Sequence, residues 1–164
     1  MNAAFFLSLH VLAAILTIGP VAVAASMFPR YLRSAGSDPH AVTVLRTLHR
    51  ICRVYTVIGL TVPAFGLATA VALGVLTDAW LLTSIALTAI AAGVLALVVL
   101  PGQAAALSGC TPDHAAASLS TGGTATLAPN RSAARLGAAT GVFNLLWAVV
   151  VVLMIVRPGS TTGV

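Results

Sequence analysis

Apolar residues fill four stretches of the chain almost without interruption, at about residues 3–27, 55–76, 80–100 and 136–156. Each is close to the ~20 residues that a helix needs to cross the hydrocarbon core of a bilayer. Four strands could not close a barrel, and open strands would leave backbone donors and acceptors unpaired in lipid. The pattern therefore predicts an all-α membrane protein: a single domain over residues 1–164, with four transmembrane helices in an antiparallel bundle.

Two polar stretches separate the spans unevenly. In residues 41–54, Arg46, Arg50 and Arg53 share one helical face, and Val42, Leu45, Leu48 and Cys52 share another. That spacing predicts an amphipathic helix leading into the second span, its basic face against anionic lipid headgroups. Residues 102–130 are rich in Gly, Ala, Ser and Thr and read as a flexible cytoplasmic loop. Thr111-Pro112-Asp113 inside it resembles the start of a short helix.

Composition fits this reading. Apolar residues make up 59% of the chain and charged residues only 7%, too few to clothe a water-soluble surface. All the positive charge is arginine, eight residues against Asp38, Asp78 and Asp113. Seven arginines lie in the two long connections and one, Arg157, in the C-terminal tail. The positive-inside rule then puts the connections in the cytoplasm and both termini outside, as expected of a multi-pass protein of a bacterial cytoplasmic (inner) membrane. The arginines flank apolar runs and form no patch among aromatics, which argues against nucleic acid as a partner. Ala22-Val23-Ala24 resembles a signal-peptide cleavage site, but no basic region precedes it and Arg30 and Arg33 follow, an order that favours a retained span. Cys52 and Cys110 fall on the cytoplasmic side, where a disulfide is not expected.

Small residues suggest how the spans pack. Gly66, Ala70 and Gly74 repeat at four-residue spacing, as do Ala89 and Gly93, and Gly137 and Gly141 with Ala148 beyond them. Such faces let helix backbones approach closely in lipid. Asn144 is expected to bond across a helix interface, and Pro20 and Pro63 to kink the first two spans.

His10 is the main candidate for chemistry. It sits about seven residues into the first span, roughly 10 Å deep at 1.5 Å per residue. An ionisable group at that depth is costly and raises a functional question. It has three readings: a haem ligand, a metal ligand or proton relay, or a neutral histidine bonded to a neighbouring helix. Thr69, Thr83, Ser84, Thr88 and Met154 should lie at a similar depth, offering hydroxyls for a hydrogen-bond network and one thioether as a second haem ligand. His49, at the cytoplasmic mouth of the second span, is too far away to pair with His10. Cys110 and His114, four residues apart, give only two of the ligands that zinc requires. No span contains Asp or Glu, and no hydrolytic or phosphate-binding motif stands out.

Leu9-His10, Gly19-Pro20, Arg30 beyond them, and Met154-Ile155-Val156-Arg157-Pro158 after a Trp147-bearing last span resemble a bacterial family of four-helix integral membrane proteins of unknown function. More distantly, the Leu-His opening and the four-span layout are similar to the copper-resistance D membrane domain and to the four-helix protoporphyrinogen oxidase family. The latter resemblance implies haem, held by His10. The chain has Ile18-Gly19-Pro20 where those relatives favour a tryptophan and paired glycines, and no lysine to match their basic residue. Together these features lead to the expectation of a small non-catalytic membrane protein, an accessory or assembly subunit of a larger complex or a homo-oligomer. A haem- or copper-binding redox protein using His10 is the alternative, and a small-solute carrier a weaker one.

Overall fold

A computed structural model of the chain describes residues 3–38, 40–110 and 127–159. Among these residues six α-helices follow in order: α1 (Ala3–Ser34), α2 (Ala41–Ile58), α3 (Thr61–Leu73), α4 (Ala79–Gly93), α5 (Leu100–Gly109) and α6 (Leu127–Val156), with a π-helical stretch, Val94–Val99, between α4 and α5. The described residues contain no strand. Helices α2 and α3 read as one rod over Ala41–Leu73, and α4 to α5 as another over Ala79–Gly109. With α1 and Arg131–Val156, four helices are long and apolar enough to cross a membrane.

The rods outrun the spans expected from hydropathy. Helix α1 has 32 residues, about 48 Å at 1.5 Å per residue, against a hydrocarbon core of ~30 Å. Its last turns carry Arg30 and Arg33 and still bury Phe28, Pro29 and Leu32. Likewise the third rod continues to Gly109, so residues 102–109, expected to open a flexible loop, are helical. Gln103 explains the extension: it is completely buried, its Oε1 meets His49 Nδ1 at 3.1 Å, and its Nε2 lies 3.7 Å from Cys52 Sγ. The amide thereby ties α5 to α2. The helix start expected at Thr111-Pro112-Asp113 lies outside the described residues.

Prolines act differently along the chain. Pro20 and Pro29 both sit inside a continuous α1. Pro63 has no N–H to offer the Gly59 carbonyl four residues back. The Val62 N–H takes that carbonyl at 3.1 Å, and the rod breaks at Gly59–Leu60 between α2 and α3. Pro101 has the same effect on the carbonyl of Leu97, and here the chain widens into the π-helical stretch just before it.

Packing is concentrated toward the arginine-bearing ends of the rods. Phe28, Leu45, Cys52, Val99 and Phe143, from α1, α2, the π stretch and α6, interlock there with almost no exposure. The buried face of α2 is Ala41, Leu45, Leu48 and Cys52, while Arg46, Arg50 and Arg53 are exposed. At the other end the buried apolar cluster is smaller: Ala70, Trp80 and Leu81, with Val75 against them. Large apolar side chains such as Ile15, Leu60, Leu97 and Leu145 stand outward, as lipid-facing positions do.

Glycines at small-residue spacing take several roles. Gly137 is a helix contact: a Cβ there would lie 3.9 Å from the Pro29 ring of α1. Gly74 is not. It ends α3 at φ +69°, the left-handed conformation that glycine adopts without strain, and Val75 N–H returns to Ala70 O at 3.2 Å. Gly141 is exposed, and among the described residues no other helix or side chain comes within 4 Å of a Cβ position there. Gly93 also has no neighbour within that distance, and Ala89 and Ala148 are exposed.

Candidate ligand cleft

Helix α1 packs against α2, α3 and α6, and α6 against α4. Helices α1 and α6 meet at Pro29–Gly137 and at Ser26, whose Oγ accepts a 3.2 Å hydrogen bond from Asn144 Nδ2. Asn144 therefore bridges two helices, while its buried Oδ1 has no partner among the described residues. Away from these contacts, α1 and α3 form one wall and α4 and α6 the other of a cleft of about 720 Å³. Its sides are aliphatic, among them Val11, Leu67, Ile85, Ala89 and Val151. His10, Trp80, Trp147, Met154 and Arg157 supply most of its chemical variety.

The break in the second rod positions His10. Val62 stands in the first turn of α3, and its carbonyl lies 2.8 Å from His10 Nδ1. A carbonyl only accepts, so Nδ1 carries a proton, and in the neutral ring the lone pair is then on Nε2. Nε2, on the far edge of the ring, has no hydrogen-bond partner among the described residues. The ring rests on Gly66, where a Cβ would come within 3.0 Å of Cε1 and 3.1 Å of Nδ1. A glycine is needed there for the imidazole, a different reason from the helix–helix contact expected of Gly66. Ala70, one turn on, is buried beside Trp80 and Leu81.

The hydroxyl network expected around His10 does not form. Thr69 and Thr88 line the cleft, but each hydroxyl bonds a carbonyl of its own helix, Phe65 O at 2.8 Å and Ser84 O at 2.7 Å. Thr83 and Ser84 likewise bond Ala79 O and Trp80 O. Back-bonding of this kind satisfies a hydroxyl locally, so the histidine's partner is a backbone carbonyl instead.

Met154 lines the same cleft as His10, and so does Arg157. Arg157 follows the last residue of α6 with φ +44°, an uncommon value for a residue with a side chain. Its Nε donates to Met154 O at 3.3 Å, and its guanidinium stands 5.5 Å from the Trp80 ring centre. Trp80 Nε1 in turn donates to Asp78 Oδ2 at 3.0 Å. The sequence pattern brought in Arg157 only for topology and for the family resemblance, and Asp78 only in the charge balance. The tryptophan two residues after Asp78 was the available signal.

Other sequence candidates lie elsewhere. His49 belongs to the Gln103 cluster on α2 and α5. Arg50 and Arg53 flank a separate recess of about 400 Å³ walled by Val54, Val57 and Ile58, and Arg46 is not among its lining residues. Burial raises the Cys110 thiol above its ordinary pKa, the opposite of what a thiolate ligand needs, and His114 lies outside the described residues. No group of three or more His, Cys, Asp or Glu converges among the described residues. No protein-family model matches the chain, and searches of curated proteins and of solved structures found no match.

The His10–Gly66 contact predicts an asymmetry between glycines. Gly66→Ala should cost ~1–3 kcal/mol as the added methyl forces the ring to shift. Gly141→Ala, in open space, should stay within about 0.5 kcal/mol of wild type. Thermal unfolding of the two variants in one detergent makes the comparison; equal losses would contradict the contact.

Proposed function

We propose that this chain is a small non-catalytic protein of a bacterial cytoplasmic membrane whose cleft holds haem through His10. One observation carries the reading: the imidazole is locked by its Nδ1 bond to Val62 O, with Nε2 left available beside an apolar cleft. Metal-bound histidines commonly have this arrangement, with the second ring nitrogen donating to a backbone carbonyl that fixes tautomer and orientation. The cleft's volume of about 720 Å³ falls within the ~300–1,000 Å³ of typical ligand sites. Gly66 leaves room for the ring, Met154 offers a thioether on the same cleft, and the walls are apolar, as a porphyrin requires. Haem held there would supply reversible one-electron chemistry.

The polar side chains of the cleft are suited to holding a ligand more than to transforming one. They are an imidazole with a fixed tautomer, a guanidinium, and hydroxyls already bonded to their own helices. In the proposed topology the helices run antiparallel, with both termini outside and the seven connection arginines in the cytoplasm. The cleft then opens in the outer half of the bilayer, and Arg46, Arg50 and Arg53 lie against cytoplasmic headgroups.

Purified protein supplemented with haem should show a Soret band, and His10→Ala should lose it. Met154→Leu should keep the band while shifting its position. Wild-type protein with no Soret band after supplementation, and no metal by elemental analysis, would overturn the assignment.

A second reading, an accessory subunit of a larger membrane complex, is favoured by the bare face of α6, where Gly141 and Ala148 are exposed and Gly141 has no neighbour. Blue-native electrophoresis of gently solubilised membranes should then show the chain in a larger species. Migration solely as a monomer would count against it.

A further inference from the structure

Topology accounts for the seven arginines in the long connections but not for Arg157, which lies at the opposite end of the molecule, where the positive-inside rule disfavours cations. An arginine that only reached for headgroups would extend outward. Arg157 folds back instead. Its left-handed backbone, the Nε bond to Met154 O and the Trp80 ring beneath its guanidinium hold it over the cleft. Asp78, the acid nearest in the chain to Trp80, accepts from the indole N–H and makes no ion pair with Arg157. The terminal guanidinium nitrogens therefore have no protein acceptor among the described residues, although the group is half-buried at the edge of an apolar cavity.

A fixed guanidinium with unused parallel N–H donors matches a carboxylate better than any other simple group. We propose that Arg157, braced on Trp80, is the acid-binding group of the cleft, and that the cleft selects an apolar ligand carrying a carboxylate, its body among the aliphatic walls and its acid at the rim. This inference rests on reading the cleft as a ligand site, but it does not depend on iron or on ligation by His10. It assigns the two ends of the cavity different tasks: Arg157 recognises the acid at the rim, and His10 addresses the body of the ligand.

The test uses metal-free protoporphyrin IX, a dicarboxylic acid that His10 cannot ligate through a metal, and its dimethyl ester. Both tryptophans of the chain, Trp80 and Trp147, line the cleft, so quenching of intrinsic fluorescence reports occupancy directly. Full-length protein in a non-ionic detergent should bind the acid at least about tenfold more tightly than the ester, the scale of one charge-assisted hydrogen bond. Arg157→Gln should collapse the ratio toward one, and Arg157→Lys, which keeps the charge but not the planar fork, should keep only part of it. Comparing ratios between variants cancels the different partitioning of acid and ester into micelles.

Equal affinities in wild type would overturn the proposal without any variant. So would an acid preference that survives Arg157→Gln. Displacement of the acid by excess phosphatidylglycerol would assign the rim to a lipid headgroup and equally overturn it. Loss of the haem Soret band with the acid-to-ester ratio intact would instead remove the haem reading and leave this one standing.

Discussion

A polar group inside lipid must find its partner within the protein, because no water is present to supply one, and this constraint governs most of the side-chain bonding in the chain. Threonine and serine hydroxyls return to carbonyls one turn back on their own helices. Gln103 joins His49 and Cys52, and Asn144 reaches Ser26. His10 satisfies one nitrogen on the Val62 carbonyl. Among the described residues, the second nitrogen of His10 and the terminal nitrogens of Arg157 find no protein partner beside the same cleft. Their shared position is the basis of the functional reading, since an unmatched donor or acceptor in a low-dielectric cavity is costly to the protein alone and favourable toward the right ligand.

The asymmetry of packing makes room for that cavity. Burial of apolar surface does not drive helices together in lipid, so close packing and a few polar bonds must do so. Here both are concentrated near the arginine-bearing ends, where Phe28 and Phe143 interlock with Leu45 and Val99 and where Gln103 and Asn144 make their cross-helix bonds. The opposite end has a small cluster around Trp80. With one end fastened, the α1–α3 and α4–α6 pairs can stand apart at the other without loss of the fold. Proline helps to shape the walls: the break imposed by Pro63 sets the start of α3, and with it the Val62 carbonyl that orients His10.

Four long apolar helices were legible in the sequence because the requirement is local: a span needs length and hydropathy, and both can be counted. Helix ends were less so. Residues 102–109 look like linker, yet the single buried Gln103 keeps them helical through a bond to His49, 54 positions away, which no local pattern encodes. Gly66, Ala70 and Gly74 share one spacing but have three roles: a seat for an imidazole, a core contact and a left-handed helix end. Composition cannot separate these, because each asks only for a small residue. His10 was visible as a costly group in lipid, but its partner was not, since that depends on where the second rod breaks. Arg157 was overlooked because a tail arginine and a cleft arginine have the same letter until Trp80 is folded beneath one of them.

The account depends most on the imidazole of His10 being held with its proton on Nδ1. Nitrogen-15 NMR of histidine-labelled protein, with the His10 signals assigned by their loss in His10→Ala, measures this directly. The expected spectrum of the ligand-free chain shows a protonated, hydrogen-bonded Nδ1 and an unprotonated Nε2. A proton on Nε2 with a bare Nδ1 would contradict the bond to Val62, and the cleft would lose its orienting group.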